Sequence, residues 1–158
     1  MMNEVARLGW NPRGIVLAAA AAGCVMVTGT LSHSEGTTVQ GGRSIWDGVY
    51  TDAQAARGAA VYADACSQCH GSGLEGGEME PPLTGGEFMY AWDGLTVADL
   101  FERVRVSMPP ANPNGVNRQG KADIIGYLLS VNGVSPGTTE LSRRTADLRA
   151  ISFDAVQP

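Results

Sequence analysis

Apolar side chains recur at helical spacing in three segments of the chain, and each segment begins at a residue that can cap a helix. The first follows Thr51 and is rich in alanine, the second begins at Thr96, and the third begins near Asn117. Threonine and asparagine side chains accept hydrogen bonds from the free N–H groups of a first helical turn. The apolar stripes therefore predict three helices around a shared core. No strictly alternating strand pattern occurs in this part of the chain, so the predicted class is all-α.

Three residues refine these helices. Gly58 lies inside the first helix, where glycine weakens helix formation and often marks the close approach of another backbone. Asp99 lies three residues after Thr96, which is the spacing of a capping box. Gly133 follows the last apolar turn of the third helix and is the expected C-terminal stop.

The N-terminal segment has the composition of a targeting sequence. Within residues 1–31, Arg7 and Arg13 precede an uncharged and mostly apolar run over residues 15–31. This pattern predicts a signal peptide or an N-terminal anchor, and hence export. Cys24 follows small residues and is a candidate for lipidation. Cleavage, lipidation at Cys24 and retention as a single membrane anchor stay open as alternatives.

Composition divides the rest of the chain into three parts. Residues 32–44 are rich in Gly, Ser and Thr and predict a flexible linker. Residues 45–135 hold the three predicted helices and form the expected folded domain. Residues 136–158 are a C-terminal tail with a short candidate helix over residues 142–149, and this tail is expected to pack either on the domain or on a partner.

The segment from Cys66 to Cys69 and His70 reads Cys-Ser-Gln-Cys-His. Cys-x-x-Cys-His is the attachment motif of a c-type haem, in which two thiols join the porphyrin and the adjacent histidine binds iron. A structural zinc site needs four ligands, but no later cysteine exists and His33 is the one other histidine. A thioredoxin-like dithiol should open a helix after a strand, and no strand pattern precedes Cys66. The motif predicts one covalent haem c.

The second axial ligand of the iron must come from elsewhere in the chain. The folded part has no histidine besides His70, and a methionine thioether suits a haem iron. Outside the targeting segment the methionines are Met79, Met89 and Met108. Two prolines follow Met108, which stop its helix and stiffen the loop that carries the sulfur. We predict Met108 as the ligand. An iron left open for gas or peroxide chemistry is the alternative.

The order of helix, Cys-x-x-Cys-His, proline-rich loop, helix, Met-Pro and helix resembles a class I cytochrome c. Within that family, residues 46–153 are most similar to the haem domains and small cytochromes of quinoprotein alcohol dehydrogenases. The stretches that carry this resemblance are Gln68-Cys69-His70-Gly71-Ser72, Pro81-Pro82-Leu83-Thr84-Gly85, Thr96-Val97-Ala98-Asp99-Leu100-Phe101, Met108-Pro109-Pro110 and Ala122-Asp123-Ile124-Ile125-Gly126-Tyr127-Leu128-Leu129.

The resemblance implies a small fold with three main helices around one haem, acting as a one-electron carrier and not as an enzyme. It implies a dehydrogenase of quinoprotein type or similar as electron donor and the respiratory chain as acceptor, and the export predicted from residues 1–31 indicates a periplasmic location, with or without a membrane anchor. By the same resemblance, the carbonyl of Pro81 accepts a hydrogen bond from the axial histidine, and Trp92 contacts a haem propionate. Lys121 stands where related chains often have an aromatic residue, which predicts looser packing of the last helix.

Charge separates along the chain. It has 16 acidic and 11 basic residues, and eight of the acidic ones lie between Gly58 and Glu102, where no Lys or Arg occurs. Because much of this acidic stretch follows the haem motif, we expect an acidic surface at the haem edge and a basic redox partner. An acidic surface that only keeps the protein soluble is the alternative. The net charge of −5 argues against nucleic-acid binding.

Overall fold

A computed structural model describes residues 42–158 of the chain. The predicted signal peptide or anchor over residues 1–31, including Cys24, lies outside the described residues. The same holds for residues 32–41 of the predicted linker, including His33. Within the described range, no helix combines the length and the apolar composition that crossing a membrane requires.

The described chain is mostly helical, which confirms the all-α class, and a small sheet adds to it. The three longest helices correspond to the three predicted from the sequence. In chain order the elements are β1 (Arg43–Ser44), α1 (Asp52–Ala65), α2 (Ser67–His70), α3 (Gly85–Trp92), β2 (Leu95–Thr96), α4 (Val97–Ser107), α5 (Arg118–Val131), α6 (Thr145–Leu148) and β3 (Ile151–Phe153).

The sheet was not predicted from the sequence. Strand β3 lies in the middle, parallel to β1 with Ser44 opposite Ser152 and antiparallel to β2 with Leu95 opposite Phe153. Strands of two or three residues are too short to show an alternating pattern. Strand β1, Arg43–Ser44, lies at the end of the predicted linker.

The predicted helix ends are confirmed. Thr51 Oγ1 accepts a hydrogen bond of 3.1 Å from the N–H of the third residue of α1. Thr96 and Asp99 form both halves of a capping box at the start of α4. Asn117 caps α5 in the same way, and Gly133 lies just beyond the end of that helix at a φ of +80°. Backbone conformation of that kind favours glycine.

Helices α1 and α5 cross at Gly58. A Cβ atom at this position would overlap the backbone carbonyl of Asp123 and lie 2.9 Å from Cβ of Tyr127. One turn later, the rings of Tyr62 and Tyr127 pack at 5.5 Å between centroids. Because glycine has no side chain, the two backbones come close enough for this crossing.

The tail packs on the domain. The amide of Gln54, buried in α1, donates to the Leu141 carbonyl at 3.1 Å and accepts from the Leu141 N–H at 2.7 Å. Phe153 is fully buried and packs edge-on against Phe88 of α3. Buried backbone groups and apolar surface thus join the tail to α1 and α3.

We predict that Gly58→Ala lowers the free energy of unfolding by about 1–3 kcal/mol, because the new methyl group forces α1 away from α5. Gly86→Ala in α3 is the matched control, since its Cβ would meet no atom closer than 3.8 Å. That variant should be neutral or slightly stabilising. Denaturant unfolding of the holoprotein measures both, and equal stability of the two variants would contradict the close crossing at Gly58.

Candidate functional site

A cavity of about 520 Å³ opens between the helices. Side chains from α1 to α5 line it, together with the loops that precede α3 and follow α4. Its wall is mainly apolar, with Leu83, Phe88, Leu100, Ile124 and Leu128 among the lining residues. Cofactor pockets commonly enclose roughly 300–1,000 Å³ and have walls of this kind.

Cys66, Cys69 and His70 all line this cavity. Cys66 is the C-terminal cap of α1, where its N–H donates to the Tyr62 carbonyl at 2.9 Å, and α2 then turns Cys69 and His70 to the same cavity. The two thiols are not joined to each other. Burial raises the pKa of the Cys66 thiol, and Cys69 adds to this rise. A raised pKa is unlike the depressed value of a redox-active dithiol.

The imidazole of His70 is oriented by a backbone carbonyl. Only 8% of His70 is exposed, and its Nδ1 lies 3.1 Å from the carbonyl oxygen of Pro81. Because a carbonyl can only accept, this hydrogen bond requires the proton on Nδ1. In the neutral ring this tautomer leaves the lone pair of Nε2 free, which is the form of histidine that binds a metal.

Asn132, at the C-terminal cap of α5, fixes the loop that carries Pro81. Its Nδ2 donates to the Leu83 carbonyl at 3.1 Å, and its Oδ1 accepts from the Gly85 N–H at 2.8 Å. The Leu83 N–H in turn donates a hydrogen bond of 2.9 Å to the carbonyl oxygen of Leu74. Sequence reasoning missed Asn132, since an asparagine after a helix signals only a helix end.

The three candidate methionines lie in different places. Met108 is the C-terminal cap of α4, is half-buried and lines the cavity together with the two prolines that follow it. Met79 also lines the cavity but is 88% exposed. Met89 is buried in the apolar core. Trp92, at the end of α3, is half-buried and lines the cavity as well.

The expectation that Lys121 loosens the packing of the last helix is wrong. Lys121 is 2% exposed, and its ammonium group donates hydrogen bonds to four backbone carbonyls around the end of α4. The aliphatic stem is buried, while the charged end is satisfied by carbonyl oxygens.

Charged side chains lie at the rim of the cavity. Glu80, Glu87 and Arg103 line it, and Glu78 is an exposed neighbour of Glu80. Part of the acidic stretch in the sequence therefore borders this cavity.

The side chains in the cavity fit a haem of the c type. Two thiols separated by one helical turn, an imidazole with a free Nε2 and a thioether border one largely apolar space. Sulfur and imidazole nitrogen are suitable ligands for haem iron, and an apolar wall suits a porphyrin.

Comparison with known proteins agrees with this fit. Residues 53–128 match the family described as Cytochrome C oxidase, cbb3-type, subunit III. The match supports a class I c-type cytochrome over this region, and with it haem-based electron transfer. No solved structure matches the chain.

Proposed function

We propose that this chain, with a c-type cytochrome domain matched over residues 53–128, is a one-electron carrier with a single covalent haem c. In this proposal Cys66 and Cys69 attach the haem, and His70 and Met108 are the axial ligands. The observation that supports it best is that all four side chains line the same cavity.

Each residue has a distinct part in this proposal. A bound haem supplies an iron that changes its charge by one electron. Cys66 and Cys69 would hold the haem through thioether bonds, each thiol giving its sulfur to one carbon of a vinyl group and its hydrogen to the other. The Pro81 carbonyl holds the His70 proton on Nδ1 and strengthens the donor character of Nε2. Trp92 is proposed to contact a propionate.

Met108 makes the protein a carrier and not an enzyme in this account. If His70 and Met108 both held the iron, a substrate could bind the metal only by displacing one of them. The apolar wall around Leu100 and Leu128 excludes water, which limits the solvent reorganisation that accompanies a change of charge. A thioether ligand also favours a higher reduction potential.

The proposed partners are a periplasmic dehydrogenase of quinoprotein type or similar as donor, and a component of the respiratory chain as acceptor. An exported location, with or without a membrane anchor, is part of this proposal. Glu80 and Glu87, which line the cavity together with the single cation Arg103, support docking to a basic surface.

Electron exchange with two small reagents of opposite charge tests this function. We expect the holoprotein to take up one electron per chain. Its rate with hexaammineruthenium, a cation, should fall several-fold as salt is added, while its rate with ferricyanide, an anion, should rise.

The double variant Glu80→Gln, Glu87→Gln should lose most of this salt dependence. Glu140→Gln removes one carboxylate charge, against two in the double variant, from an exposed ion pair with Arg57 that does not line the cavity, and it should behave like the wild type. Electron-exchange rates that do not change with salt concentration would contradict the docking proposal. Uptake of two electrons per chain would contradict a single-haem carrier.

A further inference from the structure

Lys121 makes an unusual set of contacts beside the candidate ligand. Its Nζ lies 3.2 Å from the Val104 carbonyl, 2.9 Å from that of Arg105, 3.2 Å from that of Met108 and 2.6 Å from that of Pro113. An ammonium group has three N–H donors, so four acceptors around it use them all. This buried lysine thus joins α5 to the last turn of α4 and to the loop that follows it.

Two of these carbonyls belong to the end of a helix. The last carbonyls of an α-helix lack partners within the helix, and a cation is favoured there by the helix dipole. Burial lowers the pKa of Lys121, and Arg105 and Arg118 nearby add to this effect. The converging carbonyl oxygens compensate for the loss of water around the ammonium group.

Lys121 supplies side-chain hydrogen bonds that join α5 to the first part of the loop between α4 and α5, at Met108 and Pro113. In the described part of the chain, the backbone hydrogen bonds inside this loop are local, from Asn112 to Pro109 and from Gly115 to Asn112. The bond from Lys121 to Pro113 reaches the loop from α5, and the bond to Met108 holds the residue where the loop begins. Helix α5 also supplies part of the cavity wall through Ile124 and Leu128.

We propose that Lys121 is a positioning residue that holds the backbone of Met108 where its thioether can bind iron. This inference rests on the proposed function, in which Met108 is an axial ligand. Lys121 itself does not touch the iron. Its effect is to fix Met108 to α5, which forms part of the cavity wall.

The test uses Lys121→Leu, which removes the donors from the carbonyls of Arg105, Met108 and Pro113. We expect the ferric holoprotein to bind added imidazole about tenfold to a hundredfold more tightly than the wild type, because the competing thioether is held less firmly. The absorption band of the thioether–ferric iron bond should weaken, and the reduced protein should begin to bind carbon monoxide.

Gln54→Leu is the matched control. Gln54 is also a buried polar residue with several hydrogen bonds, but they lead to the tail and to Asp123 and not to Met108. This variant should lose stability while its imidazole affinity stays that of the wild type. A purely structural role for Lys121 would give the same pattern in both variants.

Lys121→Gln provides a second measurement should the leucine variant fail to yield folded holoprotein. Its amide keeps two donors, so we expect imidazole affinity between wild type and Lys121→Leu. Wild-type imidazole affinity in whichever of these variants folds would overturn the role of Lys121. A wild-type protein that itself binds carbon monoxide and imidazole freely would overturn both this inference and Met108 ligation.

Discussion

Replacement of Cys66 and Cys69 by alanine is expected to abolish covalent haem in a host that matures c-type cytochromes. Both sulfurs line the cavity, and α2 places them one helical turn apart. Without them, His70 and Met108 could hold haem only by coordination, and denaturation would release it. We expect no haem-associated signal on the polypeptide after denaturing electrophoresis.

The same variant should also be much less stable. The cavity of about 520 Å³ has a largely apolar wall, and a haem that fills it removes this wall from water. An unfilled cavity of this size in a small domain costs a large part of the total stability, which is only about 5–15 kcal/mol.

Ser67→Ala is the control for this experiment, because it changes the same motif without removing a thiol. Ser67 Oγ donates to the Ala63 carbonyl at the exposed end of α1. We expect full haem attachment in this variant. Covalent haem in the double cysteine variant would contradict the assignment of the two attachment sites.

Met108→Ala is expected to keep the haem attached but to open one side of the iron. His70 and both thiols remain, so the haem content should equal that of the wild type. The reduced protein should then bind carbon monoxide, and its reduction potential should fall by on the order of 0.1 V, since the thioether ligand is lost. Spectra with carbon monoxide and a potentiometric titration measure the two effects.

Met79→Ala separates Met108 from the other methionine at the cavity. Met79 is 88% exposed and should not bind the iron. We expect the reduced form of this variant, like that of the wild type, not to bind carbon monoxide. If Met79→Ala bound carbon monoxide and Met108→Ala did not, the axial ligand would have to be reassigned to Met79.

Local sequence signals were sufficient for the long helices. Thr51, Thr96 and Asn117 each bond to backbone groups three residues away, so the sequence contains both partners. Helix α3 was missed, because it has eight residues and begins with two glycines. The strands were missed because β3 pairs with segments more than fifty and more than one hundred residues away along the chain.

The candidate site also contains residues that local sequence signals reveal and residues whose partners lie far away along the chain. Cys66, Cys69 and His70 form a contiguous motif, and the spacing alone indicated their chemistry. Lys121 and Asn132 act on carbonyls from other elements, which come within reach only after α4 and α5 have packed. The sequence contains no pattern that connects a lysine with four carbonyl oxygens.

We propose that one haem is bonded to Cys66 and Cys69 and that His70 and Met108 hold its iron. The sharpest test of this proposal is a set of absorption spectra of the matured protein, ferric and ferrous, recorded before and after acid–organic extraction. We predict that the porphyrin absorption stays with the polypeptide after extraction and that the ferric form shows a thioether–iron band. We also predict that the spectrum of the ferrous form does not change when carbon monoxide is added. A colourless polypeptide after extraction, in which both thiols react with a thiol reagent, would contradict covalent haem at Cys66 and Cys69.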